Sequence, residues 1–330
     1  MVFLREKRDL DVIIIGGEFR AFAQFIILAT VEIGLGDGLG AVSRFYILYA
    51  SALLEAPGND DCEGLRIMET KKMKKFIRFD REDFIGVITI DNPPENSLAS
   101  DVLSEFEDTL DEVLPDKLLR TLIITGSGEK IFVSGAEINE LAYLDKAGGI
   151  HVASRVKDIF SKLWFSPKPV FCAINGHALG GGLELTLHCD FRIAIDKARF
   201  GQPEINLGVL PGAGGTQLLP RLIGLSKARW LLFSGETISA DEALSCGLID
   251  RVVKSKSLIK ITKEMARQIA EKPPLAIKAV KKMLRLVQSP GLDEAMESET
   301  EMFGELCATE DKREGILAFL EKRKANFQGK

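Results

Sequence analysis

The chain has 330 residues and carries 43 basic against 48 acidic side chains, a net charge of −5. Apolar residues make up 46% and charged residues 28%, an ordinary globular composition that excludes a mainly disordered chain, a collagen-like repeat and a disulfide scaffold. The acidic balance argues against nucleic acid or an anionic membrane as partner, because such partners usually select basic proteins.

The first 72 residues differ in pattern from the rest of the chain. Glycine occupies every second position from Gly34 to Gly40. This run does not fit the G-x-G-x-x-G pattern of a dinucleotide loop, because Leu39 stands where the third glycine is needed, so a flexible linker is the favoured interpretation. We expect residues 1–72 to be a non-catalytic extension, and we hypothesise that Met73 is the working start of the protein.

From Lys74 onward, strand patterns alternate with helix patterns. Strands are predicted at 76–79, 85–90, 122–125, 131–133, 170–174 and 191–195. Helices are predicted at 100–113, with Ser100 as the cap, at 150–165 and at 181–189. The alternation indicates an α/β class with largely parallel strand pairing.

The end of the chain is different, because residues 259–330 have no strand pattern. They are predicted to form helices at 259–271, 274–288, 292–307 and 311–324. We expect these helices to pack against the body of the protein or against a partner subunit. The chain is therefore divided into a core at 73–258 and a C-terminal helical region at 259–330.

Cysteine and histidine usage gives little support to a metal site. The five cysteines form no C-x-x-C pair and the three histidines lack the spacing of metal ligands, so we expect a reduced protein without metal. The most apolar stretch, 21–31, is shorter than the roughly 20 residues that a membrane-spanning helix needs. Acidic residues interrupt the N-terminal segment, so it does not fit the pattern of a signal peptide. We therefore expect a cytoplasmic protein with no membrane segment.

A glycine-rich turn follows the strand predicted at 170–174 and opens the helix that begins at Gly181. The first N–H groups of a helix have no intrahelical acceptor, so they can bind an anion or a developing oxyanion. By themselves, the glycines fit a tight turn without a ligand better than a binding site. A second donor is available from the N–H of Ala136, and two converging amides polarise a carbonyl group strongly.

Two glutamates are candidates for acid–base chemistry. Glu184 lies in an almost wholly apolar run, where desolvation would raise its pKa toward a value useful for proton transfer. It could equally face solvent or pair with Arg192. Glu204 follows a Gly-Gln-Pro loop and, in isolation, fits a plain loop carboxylate better. Together, two carboxylates beside an oxyanion site could handle a water molecule and a carbon-bound proton.

Residues 73–330 contain several motifs in a characteristic order. They are Asn96-Ser97-Leu98, Ser134-Gly135-Ala136-Glu137-Ile138, Asn175-Gly176 followed by Gly182-Leu183-Glu184, Gln202-Pro203-Glu204-Ile205, and Pro211-Gly212-Ala213-Gly214-Gly215-Thr216-Gln217. On these motifs, the last four-fifths of the chain resembles the enoyl-CoA hydratase/isomerase family, also called the crotonase family, and within it enoyl-CoA hydratase.

The resemblance implies a fold, an assembly and a substrate class. The fold is a core of repeated ββα units wound into a superhelix (spiral), with a C-terminal helical region for oligomerisation into homotrimers or homohexamers. The substrate is an acyl thioester of coenzyme A, and the chemistry requires no metal or redox cofactor. The activity is the addition of water to a 2-enoyl-CoA, which gives a 3-hydroxyacyl-CoA.

The resemblance also assigns roles to individual residues. The backbone N–H groups of Ala136 and Gly181 fall on the oxyanion-hole positions of the family. Glu184 and Glu204 fall on the two catalytic glutamates of hydratases, with Glu184 activating water and Glu204 delivering a proton to C2.

The positions that the resemblance places in contact with coenzyme A are Ala136, Glu137, Ile138, Asn139 and Gly181. Asn139 and Glu95 depart from the family pattern, in which basic residues are frequent at both places. We therefore expect the phosphate groups of coenzyme A to be held by another lysine or arginine.

The residues give less support to other activities, inside the family or outside it. An enoyl-CoA isomerase needs only one carboxylate, and hydrolase-like relatives alter the pair, so both glutamates favour hydration. Some proteins of this fold bind RNA through a basic helix, but the helix at 150–165 offers only Arg155, Lys157 and Lys162, interleaved with Asp158. This is a poor electrostatic footprint for RNA. A purely structural protein is disfavoured by the two glutamates and the unbroken glycine loops.

Overall fold

The computed structural model describes residues 74–287 and 291–330 and, before them, only the backbone of four strands. The chain divides into two compact units, Met1–Met73 and Lys74–Lys330. The first unit contains an antiparallel sheet of β1 (Phe3–Arg5), β2 (Leu10–Phe19), β3 (Phe22–Ile33) and β4 (Val42–Ala52), in that order. The predicted glycine linker and Met73 lie outside the described residues.

The second unit alternates strands and helices before it ends in four helices. Its strands are β5 (Ile77–Glu82), β6 (Ile85–Ile90), β7 (Thr121–Gly126), β8 (Ile131–Val133), β9 (Val170–Ile174), β10 (His177–Leu179), β11 (Phe191–Ile195), β12 (Arg199–Gly201), β13 (Thr237–Ser239) and β14 (Arg251–Val253). Its helices are α1 (Ser100–Val113), α2 (Ile138–Leu141), α3 (Lys146–Trp164), α4 (Gly181–Leu187), α5 (Gly215–Ile223), α6 (Leu225–Ser234), α7 (Ala240–Ser245), α8 (Leu258–Ala270), α9 (Pro274–Leu286), α10 (Leu292–Cys307) and α11 (Glu310–Leu320). Short 3-10 helices span Pro203–Leu207 and Ser255–Ser257.

The larger sheet of this unit has the strand order β14-β11-β9-β7-β6-β5. All neighbouring strands pair in parallel except β5 and β6, which form an antiparallel hairpin. The central strands β7 and β9 are buried along their whole length, because apolar and β-branched side chains cover both faces. The prediction of an α/β fold with largely parallel pairing is confirmed.

The smaller sheet has the order β13-β12-β10-β8, and β8, β10 and β12 are mutually parallel. Sequence patterns predicted β8, a run of three apolar residues, but not β10, β12 or β13, which are equally short and carry no such apolar run. Parallel strands end at the same edge of a sheet, so the loops that follow β8, β10 and β12 meet there.

The cap of one helix and the start of another differ from the prediction. Helix α1 begins one residue after the N-cap Ala99, so Ser100 is not the cap; its hydroxyl instead donates to Glu140 Oε2 at 2.7 Å. Helix α3 begins at Lys146, four residues earlier than expected, because the side chain of Asp145 accepts a hydrogen bond from the N–H of Gly148 and caps it.

The four C-terminal helices follow the predicted bounds within one residue at their starts. Helix α8 packs against β7 and β9 and buries Thr262, Ala266 and Ala270. Helix α10 has no buried residue, and Phe303 on α10 and Phe319 on α11 are 70% and 83% exposed. Among the helices of the described residues, none is both long and apolar enough to cross a membrane.

Candidate active site

Three loops at the edge of the smaller sheet form the candidate site. The segment after β8 contains Ala136, the turn after β10 opens α4 at Gly181, and the turn after β12 leads into the 3-10 helix that carries Glu204. The N–H of Gly180 donates to the carbonyl of Gly201 at 3.0 Å, which joins the second turn to the third. The strand order therefore brings Ala136 and Glu204, which are 68 positions apart in the sequence, to the same edge of the sheet.

The two predicted oxyanion donors lie side by side. A Cβ built on Gly181 would lie 3.8 Å from the N of Ala136, and a Cβ built on Gly135 would lie 3.1 Å from the N of Gly181. Gly135 has a φ of 106°, which only glycine adopts easily, and its carbonyl accepts the N–H of Leu98 at 2.7 Å. Neither the Ala136 N–H nor the Gly181 N–H donates to another described residue.

Gly182 fixes the approach of α4 to β8. A Cβ at this position would lie only 2.0 Å from the carbonyl oxygen of Val133, the last residue of β8. No side chain fits in that space, so glycine lets the helix start sit directly against the strand end. The separation of the two amide donors is thus set by backbone packing.

Glu184 projects from α4 and is 3% exposed. Its Oε1 accepts two backbone hydrogen bonds, from the N–H of Ala213 at 2.7 Å and from the N–H of Gly215 at 2.8 Å. Between these donors, Gly214 has a φ of 113°, which turns both amides toward the carboxylate. Burial raises the pKa of Glu184, and the two N–H groups partly offset that effect because they favour the charged form.

Glu204 is half-buried on the 3-10 helix, beside the turn that opens α4. A Cβ built on Gly180 would lie 3.0 Å from Glu204 Oε1, so the carboxylate is in contact with the start of the helix. Burial raises the pKa of Glu204 to about 7, and the negative charge of Glu184 contributes to the rise. The two carboxylates are therefore electrostatic neighbours with different environments, the arrangement that separates an acid from a base.

Gln202 holds Glu204 in place. With its amide nitrogen turned toward Glu204, it donates to Oε1 at 2.9 Å and to Oε2 at 3.1 Å. Gln202 is fully buried, so the donor side of these bonds is shielded from solvent. Gln202 lies in one of the sequence motifs, but its role was not predicted. That role depends on distances between atoms, which the motif does not contain.

The predicted coenzyme A segment continues from the oxyanion loop. Glu137 caps α2 and accepts hydrogen bonds from the Ser97 hydroxyl at 2.8 Å and from Asn139 Nδ2 at 3.0 Å. The hydrogen bond from the Ser97 hydroxyl lowers the pKa of Glu137, and the backbone N–H of Asn139 lowers it to a smaller extent. Ile138 is 54% exposed, and Asn139 is also exposed. Glu95 lies nearby, because its carbonyl accepts the N–H of Ser134 at 3.2 Å.

The structure thus brings all the predicted site residues to one region and adds the loop at 211–215 as the partner of Glu184. That loop was recognised as a motif, yet its two amide donors could not be assigned from sequence. Within residues 74–287 and 291–330, no group of three or more histidine, cysteine, aspartate or glutamate side chains is arranged to hold a metal ion.

Comparisons with known proteins agree with this geometry. The family model of enoyl-CoA hydratase/isomerase matches residues 80–330. The chain is 42% identical to a short-chain-enoyl-CoA hydratase of Clostridium acetobutylicum, over 74% of this chain and 94% of that protein. It is also 42% identical to a crotonyl-CoA hydratase of Syntrophomonas wolfei, over 77% of this chain and 98% of that protein.

A crystal structure of enoyl-CoA hydratase from Bacillus anthracis superposes with a TM-score of 0.75, at 36% identity, and covers 78% of this chain and all of that one. The predicted crotonase fold, with its helical C-terminal region, is confirmed. On the strength of these matches and the arrangement of the three loops, the chain belongs to the enoyl-CoA hydratase/isomerase family.

Proposed function

We propose that the protein is an enoyl-CoA hydratase that adds water to the C2–C3 double bond of short 2-enoyl-CoA thioesters. The observation that carries this proposal is the meeting of two backbone amides that donate to no other described residue with two carboxylates, one buried and one half-buried. The preference for short chains is supported by two relatives at 42% identity, which are named for short-chain-enoyl-CoA and crotonyl-CoA.

The amides of Ala136 and Gly181 bind the thioester oxygen. Two N–H donors draw electron density toward that oxygen, so C3 at the far end of the conjugated system becomes electrophilic. Because the donors belong to the backbone of a rigid sheet edge, they need no reorganisation as negative charge develops. One donor of this kind typically contributes about 3–4 kcal/mol to transition-state stabilisation.

The carboxylates divide the proton transfers between them. Glu184, held in its charged form by the N–H groups of Ala213 and Gly215, takes a proton from water while the water oxygen bonds to C3. Glu204, protonated because of its raised pKa, gives its proton to C2 as the enolate collapses. One water adds across the double bond, and both new bonds form on the face that the carboxylates occupy. The product is a 3-hydroxyacyl-CoA, and Glu184 then loses its proton to solvent while Glu204 takes one up, which restores the starting state.

The activity is tested by adding crotonyl-CoA to the purified full-length chain and following the ultraviolet absorbance of the conjugated thioester. We expect the absorbance to decay and the product to be 3-hydroxybutyryl-CoA by mass spectrometry. Absence of decay across short and medium chain lengths, in a folded preparation, would refute the hydratase. A product in which the double bond has moved to C3–C4 would instead identify an isomerase, which needs only one of the carboxylates.

The pH dependence follows from the two carboxylates. Glu204 must be protonated to act as the acid, so kcat/KM for hydration should fall as the pH rises through about 7. Glu184 must be charged to act as the base, so kcat/KM should also fall on the acidic side, as the pH drops through the raised pKa of that group. A bell-shaped profile whose alkaline limb lies near pH 7 is the expected result; a flat profile from pH 5 to 9 would contradict the assignment of acid and base.

The exposed apolar residues of α10 and α11 support assembly of the chain into a homotrimer or homohexamer. Phe303 and Phe319 are large, apolar and mostly open to solvent, which is costly on an isolated subunit. We infer that these helices contact a second copy of the chain. In this proposal coenzyme A enters only as part of the substrate, and no further cofactor takes part.

A further inference from the structure

His188 lies behind the proposed catalytic base, at the C-terminal end of α4. It follows Glu184 by four residues, so both side chains leave the helix on the same face. Nδ1 of His188 lies 2.9 Å from the backbone carbonyl oxygen of Glu184. Because a carbonyl oxygen only accepts hydrogen bonds, Nδ1 carries a proton and is the donor. This bond fixes the orientation of the ring relative to the base.

The edge of the same ring lies against the turn that holds the carboxylate of Glu184. A Cβ built on Gly214 would lie 3.2 Å from Cε1 and 3.6 Å from Nε2 of His188. The residues before and after this glycine, Ala213 and Gly215, provide the two N–H donors to Glu184 Oε1. His188 therefore links the backbone of the base with the turn that holds its side chain.

Neighbouring elements leave the ring little room to move. Its centroid lies 5.6 Å from that of Phe160 and 6.4 Å from that of Trp164, both on α3, and the residue is 6% exposed. The turn is fixed in turn to α5, because the N–H of Leu218 donates to the carbonyl of Gly214 at 2.7 Å. The ring thus fills the space behind the turn and limits the positions that the turn can take.

The surroundings keep the ring uncharged at neutral pH. Burial lowers the pKa of His188, and its hydrogen bond to the carbonyl of Glu184 only partly opposes that effect. The charged group that interacts with the Glu184 carboxylate is Glu204. The side chains around the ring carry no charge: Phe160, Trp164 and Leu218. Any influence of His188 on the base is therefore exerted through packing and not through its charge.

We propose that His188 is a positioning residue for the base: its ring, packed against α3, holds the Gly214 turn in the conformation that presents two N–H groups to Glu184. This inference rests on the proposed hydratase function. Removing the ring leaves a space into which the turn can partly relax, as atoms around a lost core side chain do. The two hydrogen bonds to Oε1 then lengthen, and the charged form of Glu184 loses stabilisation.

The first test compares hydration of crotonyl-CoA by the wild type and by His188→Ala. We expect kcat to fall about 10- to 100-fold with KM little changed, because a displaced base weakens the chemical step. The acidic limb of kcat/KM should move to higher pH by about one unit, since lost N–H donors raise the pKa of Glu184. The alkaline limb, which Glu204 sets, should stay near pH 7. Loss of a titrating histidine would instead move the acidic limb to lower pH.

Proton exchange at C2 of butyryl-CoA in heavy water separates this role from general damage to the site. The exchange needs Glu204 as a base but does not need Glu184, because no water is activated. Glu204 is held by Gln202 and lies beside the turn at Gly180, contacts in which His188 takes no part. Exchange by His188→Ala should therefore stay near the wild-type rate while hydration falls.

Further variants of α4 provide the rescue and the control. His188→Leu places a side chain of similar bulk against Gly214, so it should restore most of kcat and the position of the acidic limb. Thr186→Ala also shortens a buried side chain of α4, whose hydroxyl donates to the carbonyl of Leu183 at 2.8 Å. It should lower Tm and leave the acidic limb in place. If His188→Ala is too unstable to assay, His188→Val retains more packing and should show a smaller shift in the same direction.

Four outcomes would overturn the proposal. They are a wild-type kcat in folded His188→Ala, an acidic limb that stays in place or moves to lower pH, equal losses of hydration and exchange, and no recovery in His188→Leu. Failure of the wild type to hydrate crotonyl-CoA would instead refute the hydratase function, so the two failures are distinguishable.

Discussion

Replacing Glu204 by glutamine is expected to lower kcat for crotonyl-CoA hydration by about 100- to 10,000-fold, the range usual for loss of a general acid. Glutamine has the same shape as protonated glutamate and can still bond to Gln202, but it has no proton to give to C2. The loss therefore lies in the chemical step, and KM should change little. The alkaline limb near pH 7 should also disappear from the residual activity.

Proton exchange at C2 isolates the role of Glu204. Butyryl-CoA has no double bond to hydrate, but a base at Glu204 can remove and return its C2 proton. In heavy water, the wild type should introduce deuterium at C2, and Glu204→Gln should not. Near-normal hydration or undiminished exchange in this variant would show that Glu204 is not the group that serves C2.

Stability provides a separate readout for the same variant. A carboxyl whose pKa is raised to about 7 in the folded state, from 4.5, destabilises the protein as the pH rises through that interval. Below about pH 4.5, Glu204 is protonated in both the folded and the unfolded protein, so it no longer destabilises the folded state. Glu204→Gln should therefore have a higher Tm than the wild type at pH 8 and a similar one at acidic pH. An inactive variant with this profile is folded, and its defect is chemical.

Replacing Glu184 by glutamine is expected to produce a loss of kcat of similar size, about 100- to 10,000-fold, because the base that activates water is removed. The amide oxygen of glutamine can still accept the N–H groups of Ala213 and Gly215, so the loop should keep its conformation. Since Glu204 is intact, exchange at C2 of butyryl-CoA should persist. This contrast with Glu204→Gln separates the two roles.

Glu105 offers a matched control for Glu184→Gln. It is also a buried helical glutamate, and its Oε2 accepts the backbone N–H groups of Phe76 at 2.6 Å and Ile77 at 3.2 Å. It lies on α1 and ties that helix to β5, away from the three loops of the site. Glu105→Gln should lower Tm and leave kcat near the wild-type value. If Glu184→Gln behaved in the same way, Glu184 would be a structural residue and not the base.

How much of the fold could be read from the sequence depended on element length. Strands such as β7 and β9 are runs of buried apolar residues, so their pattern is unmistakable. Strands β10, β12 and β13 have three residues each, too few to show a period, and their pairing depends on contacts distant in sequence. Helices α5 and α6 were missed because glycine at 214 and 224 and proline at 220 interrupt the pattern.

The site residues and their roles were predictable through the family resemblance, but the contacts that tune the two glutamates were not. The residues by themselves left Gly181, Glu184 and Glu204 undecided, and the resemblance to the family assigned their roles. The physical basis of the division of labour between the glutamates could not be foreseen, because it includes two backbone donors at 213 and 215 that come from a loop about 30 residues further along the chain.

The contact between Gly182 and the carbonyl of Val133 has a consequence for protein engineering. Because main-chain atoms alone set the spacing of the two amide donors, side-chain substitutions elsewhere around the site can alter substrate choice without disturbing carbonyl polarisation. Laboratory evolution of new chain-length or branching preferences should therefore tolerate variation at such side chains, while Gly182 itself should resist every replacement.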